Sequence, residues 1–245
     1  IGLDRRVPPS PGAVRWHRIP ARRRRAERSV LSRLPAMAYA FATGEYRTAL
    51  ADRLRHPWDV VVIDHLQMGW AVPEVRRHAP AVPIVYASQN HETTVRREVA
   101  RAAPLRRRAA LEADARKVQR LERTVVQASS VVTAITDDDA ACFRRDVRQS
   151  TRVLTLPPGY DGEVVEHRSI DTSTPRRAVV LGSFEWHVKE ANLRQFLAVA
   201  DPLFADANAH IRVVGSVRDE FRREMELHLR GTTFAGRVPS ITDEL

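Results

Sequence analysis

The sequence predicts an α/β protein made of two domains, each built on a parallel sheet. Short apolar runs rich in Val and Ile alternate with longer stretches of helical periodicity, which is the pattern of strand–helix–strand units. The pattern stops over residues 161–175, a polar stretch rich in Ser, Thr and Asp, and then starts again. We therefore expect residues 1–165 to form one domain, residues 166–175 a linker, and residues 176–245 a second domain.

The amino-terminal part of the chain has no strand pattern. Residues 1–28 include four prolines and the arginine run from Arg22 to Arg25, so we predict a solvated loop there. Residues 31–54 have apolar side chains at helical spacing, and Pro35 and Gly44 interrupt the pattern. We expect two short helices in that segment.

Four strands follow in the first domain, each short, apolar and β-branched, as in a sheet covered on both faces. Between the second and third strands, residues 92–128 predict one long helix, or two helices joined at Pro104. The three aspartates at 137–139 are predicted to supply the N-cap of the helix after the third strand. The predicted strands are residues 58–63, 83–87, 130–135 and 152–156.

The second domain repeats this alternation over a shorter length. Its apolar segments predict three strands and two helices, with the start of a further helix at Ser240. Doubly wound domains usually have five or six parallel strands, so we expect both domains to be incomplete in this chain. The predicted strands are residues 178–181, 210–215 and 232–235, and the predicted helices are residues 190–199 and 218–229.

The composition excludes several classes of protein. Of the 245 residues, 43% are hydrophobic, enough for a folded core, and the longest apolar run is far shorter than the roughly 20 residues of a membrane-spanning helix. Cys142 is the single cysteine, so neither an internal disulfide nor a cysteine-based zinc cluster is expected. No secretory leader follows Ile1, and we expect a cytoplasmic protein.

Positive charge is concentrated in the first half of the sequence. Residues 1–120 contain 24 basic and 11 acidic residues, whereas residues 121–245 contain 16 basic and 19 acidic ones. The asymmetry predicts a polyanionic partner, but 38 of the 40 basic residues are arginine, which a GC-rich coding sequence also produces; both interpretations stay open. Aromatic residues make up only 6% and do not alternate with basic ones, so nucleic acid is not the expected partner.

Candidate binding residues follow the predicted strands, because ligands of open α/β sheets bind beyond the carboxyl ends of the strands. Residues 182–189 combine Gly182 and Ser183, which let backbone N–H groups approach a phosphate, with a helix start and Lys189. Trp186 in the same segment either stacks on a base or sugar or packs internally. The other loops at that edge are residues 64–65, 88–92 and 157–161.

Several well-known catalytic patterns are missing from the sequence. It contains no Gly-x-x-x-x-Gly-Lys-Ser/Thr, no Gly-x-Gly-x-x-Gly and no His-Glu-x-x-His, so the usual marks of P-loop hydrolases, dinucleotide oxidoreductases and zinc proteases are absent. Two loop histidines, His65 and His91, are candidates for a general base or for binding sugar hydroxyls. The alternative for each is an ordinary surface histidine.

Taken in order, the motifs resemble those of the family-four glycosyltransferases, which have the two-domain GT-B architecture. The resemblance runs from about residue 30 to the end of the sequence and keeps the order and spacing of the family motifs. The segments that carry it are WDVVVIDHLQ at 58–67, YASQNHET at 86–93, LPPGYD at 156–161, VLGSFEW at 180–186 followed by Lys189 and Asn192, VVG at 213–215 and FAGRV at 234–238.

The resemblance implies two Rossmann-like domains and transfer of a sugar, with retention, from a nucleotide-diphosphate sugar to a glycan or lipid-linked acceptor. No metal and no organic cofactor are implied. The second domain would hold the donor and the first the acceptor, with His91 in the catalytic role. The residues assigned by resemblance are Gly182, Ser183, Trp186 and Lys189 for the donor phosphates, Asp64, His65, Gln89, Asn90 and Glu92 for the acceptor side, and Gly159, Tyr160 and Asp161 for the hinge between domains.

The sequence also departs from the family pattern. Gln89 stands where many members have histidine, and Ser183 where many have arginine. The Gly-rich loop at the start of the family fold, its diphosphate loop and its paired glutamates have no counterpart, so we expect the chain to be an inactive fragment of such an enzyme. Two alternatives stay open: a nucleotide-sugar epimerase of the same fold, and a non-catalytic Arg-rich polyanion-binding protein.

The basic first half receives one further interpretation from the resemblance. Acceptor domains of this family often dock on anionic membranes, and Arg22 to Arg25 would supply contacts worth about 1 kcal/mol each. We expect peripheral attachment at the inner membrane face, with a solvated loop as the alternative.

Overall fold

The chain forms two compact units, residues 1–161 and residues 162–245, each with its own sheet. The computed structural model describes residues 17, 19, 22–159, 171–185, 187–241 and 244. Both sheets are parallel and are connected through helices, so the α/β class predicted from the sequence is confirmed.

The first unit has a four-stranded parallel sheet in the order β1-β2-β3-β4. The strands are β1 (Val61–Asp64), β2 (Ile84–Ala87), β3 (Val131–Ala134) and β4 (Arg152–Thr155). Parallel neighbours need long crossovers, and the crossover helices are α3 (Val72–His78), α4 (Glu92–Ala102), α5 (Leu105–Ala128) and α6 (Asp137–Arg144).

Strand β1 begins three residues later than predicted. The indole N–H of Trp58 donates to the carbonyl oxygen of Arg53 at 2.8 Å, so Trp58 is bound to the preceding helical segment rather than to the sheet. Asp64, predicted to lie in the loop, is the last residue of the strand and is aligned with Ala87 of β2.

Two short helices, α1 (Ala36–Tyr39) and α2 (Gly44–Leu54), precede the sheet, as predicted. Pro35 is the N-cap residue of α1, and Gly44 is the first residue of α2, so the two expected breaks both fall at helix starts. The helices share a small apolar cluster with a short 3₁₀ helix, Leu66–Ala71, that follows β1.

Helix α5 covers the first sheet with side chains that recur at helical spacing. Val118 and Val125 are fully buried in one core with Ile84 of β2. Glu122 lies in the same buried stripe. The chain is broken at Pro104 between α4 and α5, which is one of the two arrangements predicted from the sequence.

The N-cap residue of α6 is a correction to the sequence-based expectation. Thr136, rather than an aspartate, takes the position, and its hydroxyl accepts a hydrogen bond from the backbone N–H of Asp139 at 3.2 Å. The aspartates at 137–139 form the first helical turn, where negative charge interacts favourably with the helix dipole. Because the extended Thr136 already supplies the capping oxygen, the helix starts directly after it.

The second unit has a three-stranded parallel sheet in the order β5-β6-β7. Its strands are β5 (Arg177–Leu181), β6 (His210–Val214) and β7 (Thr232–Gly236), and its helices are α7 (His187–Asp206) and α8 (Asp219–Glu226). The core residues of this unit include Leu193, Leu197, Ile211, Val213 and Phe221.

Helix α7 is longer than predicted. The sequence predicts a helix over residues 190–199, but the helix runs from His187 to Asp206 with Pro202 inside it. Leu197 before the proline and Phe204 after it belong to the same hydrophobic cluster. This packing outweighs the hydrogen bond that Pro202 cannot donate.

At the predicted start of the next helix, Ser240 and Ile241 are not helical, but Glu244 lies in a 3₁₀ turn, with its backbone N–H donating to the carbonyl oxygen of Ile241 at 3.0 Å. Glu244, which is buried, accepts a hydrogen bond from Nη2 of Arg212 at 2.9 Å, and its backbone oxygen accepts one from Arg177 at 3.1 Å. These contacts hold Glu244 against β5 and β6.

Asp201 connects α7 to the start of β7. The carboxylate is 3% exposed and accepts three hydrogen bonds, from the N–H of Arg230 at 2.8 Å, the N–H of Gly231 at 2.9 Å and the hydroxyl of Thr232 at 2.7 Å. Burial by itself would raise the pKa of Asp201, but these donors together lower it below its ordinary value.

We expect Asp201→Asn to remove an acid-sensitive part of the stability of the second unit. A carboxyl whose pKa is lower in the folded state stabilises the fold above its unfolded pKa of about 3.9 and loses this contribution as the pH falls through the folded value. The free energy of unfolding of the variant is expected to be lower by about 1–3 kcal/mol at pH 7. It should also change less than that of the wild type as the pH falls. Urea midpoints measured from neutral pH to about pH 2 test this, with exposed Asp206→Asn as control. Parallel curves for wild type and Asp201→Asn would contradict it.

Candidate functional site

The loops after β1 and β2 lie side by side at the carboxyl edge of the first sheet. The backbone N–H of His65 donates to the carbonyl oxygen of Ala87 at 2.9 Å, and that of Ser88 donates to Thr133 at 3.1 Å. Each loop therefore begins in register with the neighbouring strand, which places the candidate acceptor-side residues on one edge of the sheet.

His65 has a strained backbone and a defined ring orientation. Its φ is 67° and its ψ 145°, a combination that residues other than glycine rarely adopt and that costs about 1–3 kcal/mol. Ring atom Nδ1 accepts a hydrogen bond from the N–H of Gln67 at 3.2 Å, and Nε2 lies 3.6 Å from Oε1 of Glu92. Because Nδ1 is the acceptor, the neutral ring carries its proton on Nε2, facing the Glu92 carboxylate.

Glu122 of α5 caps helix α4 from outside that helix. Its carboxylate is 2% exposed and accepts hydrogen bonds from the backbone N–H groups of Glu92 at 2.8 Å and Thr93 at 2.9 Å. Burial raises the pKa of Glu122, against the opposing effects of the Thr93 hydrogen bonds and of His91. The residue therefore satisfies two donors of the first turn of α4, which no local side chain caps.

The backbone and the ring of His91, the residue predicted to be catalytic, both make defined contacts. Its backbone N–H donates to Asp139 at 3.1 Å, and Nδ1 lies 2.7 Å from the hydroxyl of Thr94. Nε2 lies 3.5 Å from Oε2 of Glu122, and the ring packs edge-to-face on Phe143. These contacts orient the imidazole firmly, and its catalytic role stays a prediction.

The other acceptor-side residues divide into buried and exposed ones. Glu92 is buried, and its carboxylate lies between His65 and Arg96. The distance from Nε of Arg96 to this carboxylate is 3.5 Å. Gln89 and Asn90 are exposed. In this loop, the two amide side chains are therefore open to an incoming molecule, whereas the Glu92 carboxylate contacts the His65 ring.

A cavity of about 510 Å³ opens beside β1, and it brings together Asp64, His65 and Gln89, three of the residues assigned to the acceptor side. Its remaining walls are mainly apolar and aromatic. His91 does not line it. The apolar lining residues include Phe41, Tyr46, Leu50, Val62 and Met68.

Two residues at this edge were not predicted from the sequence. The one sequence feature that indicates a role for Glu122 is its position in an apolar helical stripe, between Val118 and Val125. Tyr86 of β2 is fully buried, and its hydroxyl has no hydrogen-bond partner among the residues that the structure describes. Burial, together with the nearby Glu122 carboxylate, raises the pKa of Tyr86 well above its ordinary value, so the phenol stays neutral.

In the second unit, Gly182 follows β5 and Gly215 follows β6 at the same edge of the sheet. The N–H of Gly182 donates to Val214 at 3.0 Å, and that of Phe184 donates to Ser216 at 2.7 Å. Gly215 has a φ of 123°, and a Cβ at this position would lie 1.7 Å from the carbonyl oxygen of Gly182. The glycine at 215 is therefore required by the close approach of these two loops.

The predicted donor-side residues lie between β5 and the first turn of α7. Ser183 is exposed, and Gly182 is partly buried. Lys189 is exposed in the first turn of α7, with no hydrogen-bond or ion-pair partner among the described residues. The neighbouring Glu190 is buried and forms a bidentate ion pair with Arg218, so it stabilises the start of the helix.

Part of the predicted site lies outside the described residues, namely Trp186, Tyr160 and Asp161. Gly159, the remaining hinge residue, is exposed, and a Cβ there would meet no atom within 4 Å. Its assignment to a hinge stays a prediction.

Within the described ranges, the structure contains no group of three or more His, Cys, Asp or Glu side chains able to hold a metal ion. The helices of those ranges also include none with both the length and the apolar character needed to cross a bilayer. No protein-family model matches the chain, and no curated protein matches it significantly.

Proposed function

We propose that the chain is an inactive fragment of a sugar transferase that takes a sugar with retention from a nucleotide-diphosphate donor and passes it to a glycan or lipid-linked acceptor, and that its second unit holds part of the donor site. The observation that carries the proposal is the loop after β5. There, Gly182 and Ser183 lead into the amino terminus of α7, and the Lys189 ammonium group is unpaired among the described residues. The order of the sequence motifs supports the same assignment.

The chemistry of the donor explains why such a loop is needed. When the bond between sugar and diphosphate breaks, the leaving diphosphate gains negative charge, and catalysis requires positive charge at that place. The positive end of the helix dipole at the start of a long helix and a lysine in its first turn supply it. Gly182 adds no side chain that would keep a phosphate away from the backbone.

The cavity beside β1 has the mixed character that an amphipathic acceptor requires. The Asp64 carboxylate and the Gln89 amide offer hydrogen-bonding groups for sugar hydroxyls, and His65 adds an imidazole to the same lining. The aromatic and aliphatic walls offer contact area for a lipid or an aglycone. This favours His65 over His91 as the histidine nearest to a bound acceptor.

Donor binding tests the proposal directly. The full chain is titrated by calorimetry with UDP-glucose, GDP-mannose, ADP-glucose and inorganic pyrophosphate. We expect at least one nucleotide sugar to bind saturably, and Lys189→Ala to weaken that binding by about tenfold, the effect of losing one charge-assisted contact.

The matched control is Arg223→Ala, which removes an exposed positive charge from α8 of the same unit. It should leave donor affinity within about twofold of the wild type. If none of the nucleotide sugars bind, or if Lys189→Ala and Arg223→Ala weaken binding equally, the donor-site assignment is wrong. Transfer is not expected of this chain alone, so epimerisation or hydrolysis of a bound donor would contradict the assignment to a transferase.

A further inference from the structure

A second cavity, of about 500 Å³, lies between α4 and α5. The buried Ala100 of α4 and the buried Ala115 of α5 both line it, so small side chains face it from each helix. Around them stand five arginines and a single acid. These charged lining residues are Arg97, Arg101, Arg108, Arg116, Arg120 and Glu112.

The charges around this arginine groove are not balanced. Arg108 donates to Glu112 at 2.8 Å, and Arg97 donates to the amide oxygen of Gln119 at 2.9 Å. The guanidinium groups of Arg101 and Arg120 have no hydrogen-bond or ion-pair partner among the described residues, and the backbone oxygen of Arg120 accepts from the Thr124 hydroxyl at 2.8 Å. Five guanidinium groups and one carboxylate leave a formal charge of +4 around one concave surface.

We propose that the arginine groove binds a compact anion that carries two or more phosphate groups. Guanidinium groups repel one another when they converge, and an anion between them removes that repulsion. Their planar N–H forks match phosphate oxygens in bidentate geometry. The volume lies within the range of small-molecule sites and exceeds what a single water or phosphate fills.

The main alternative is a solvated arginine face that attracts anions only through its general field. The two cases differ in position dependence. A general field depends on the number of charges, so any two exposed arginines of α4 and α5 contribute alike, whereas binding in the groove depends on the arginines that line it. Arg106 and Arg123 provide the comparison, because both are exposed on α5 and neither lines the cavity.

The experiment uses the full chain carrying Lys189→Ala, so that the proposed donor site does not add to the signal. Inorganic triphosphate is titrated by calorimetry at about 0.15 M salt, where long-range fields are screened beyond about 8 Å. We expect saturable binding that the pair Arg101→Gln and Arg120→Gln weakens by tenfold or more, and that the pair Arg106→Gln and Arg123→Gln changes by less than about twofold.

Vesicle binding distinguishes the sources of the phosphate groups. Phosphatidylcholine vesicles with and without a phosphoinositide bisphosphate are compared for the same variants. Groove-dependent binding of the phosphoinositide vesicles, but not of triphosphate, identifies a lipid headgroup as the source, and the reverse identifies a soluble phosphate compound. Equal losses in both double variants, or no saturable binding of either probe, would overturn the proposal. Because Lys189 is replaced in every protein compared, the outcome is independent of the sugar-transfer proposal.

Discussion

Gly215→Ala is expected to unfold the second unit while the first unit stays folded. An ideal Cβ at residue 215 lies 1.7 Å from the carbonyl oxygen of Gly182, an approach at which backbone must move, and the φ of 123° is one that alanine rarely adopts. The displaced atoms belong to loops that begin directly at the ends of β5 and β6. Relief of the clash therefore requires separating paired strands.

The expected loss of stability is large compared with the total stability of the second unit. Such a change belongs to the class of substitutions that exceed about 4 kcal/mol. A unit of this size has a total stability of about 4–13 kcal/mol at the usual value per residue. The first unit has a separate sheet and a separate core, so its unfolding transition should persist.

Thermal unfolding followed by circular dichroism, together with limited proteolysis, measures the effect. We expect the helical signal of the second unit to be lost and proteolysis to yield a resistant fragment from the first unit. Gly44→Ala is the matched control, because nothing lies within 4 Å of a Cβ at that position and its φ is ordinary. It should change stability by less than about 1 kcal/mol. An intact second unit in Gly215→Ala would show that the two loops are more adaptable than their close approach implies.

The strands could be predicted from the sequence because their signals are local. β2 and β3 consist of β-branched and apolar residues with turn-forming neighbours, and both lie inside the predicted ranges. The crossover helices follow from the same alternation, and Pro104 marks the boundary between α4 and α5 by removing a backbone donor.

The requirement for Gly215 could not be predicted, because it depends on strand register. A glycine after a strand is common, and its presence alone does not indicate a positive φ. The conflict with Gly182 arises only because β5 and β6 are paired with Leu181 beside Val214. That pairing is a tertiary fact, as is the continuation of α7 through Pro202.

The candidate site also combines features that a sequence pattern predicts with features that depend on tertiary packing. That the residues after β1 and β2 meet at one edge follows from parallel pairing, and a sequence pattern is enough to predict it. The capping of α4 by Glu122 joins residues 30 positions apart and depends on how α4 and α5 pack. A single sequence shows only that a carboxylate interrupts an apolar stripe.

Removal of the Glu122 carboxylate is the second change with a large expected effect. Glu122→Ala leaves the N–H groups of Glu92 and Thr93 buried without an acceptor and removes the carboxylate that lies 3.5 Å from Nε2 of His91. We expect a loss of about 3–5 kcal/mol in the stability of the first unit, measured from denaturant midpoints. Hydrogen exchange at Glu92 and Thr93 should accelerate more than exchange in the sheet, since the start of α4 loses its cap.

The conservative variant removes the carboxylate charge while keeping part of the cap. Glu122→Gln keeps one acceptor oxygen but places an amide N–H₂ group opposite the second backbone donor, so its stability should fall between those of Glu122→Ala and the wild type. Glu98→Gln is the control, because Glu98 is exposed on α4 and should contribute less than about 0.5 kcal/mol. If Glu122→Ala were as stable as Glu98→Gln, the donors of α4 would have another acceptor, and the arrangement of His91 would not depend on Glu122. If both Glu122 variants lose stability while exchange at residues 92 and 93 is unchanged, the carboxylate acts by packing within α5 rather than as a cap.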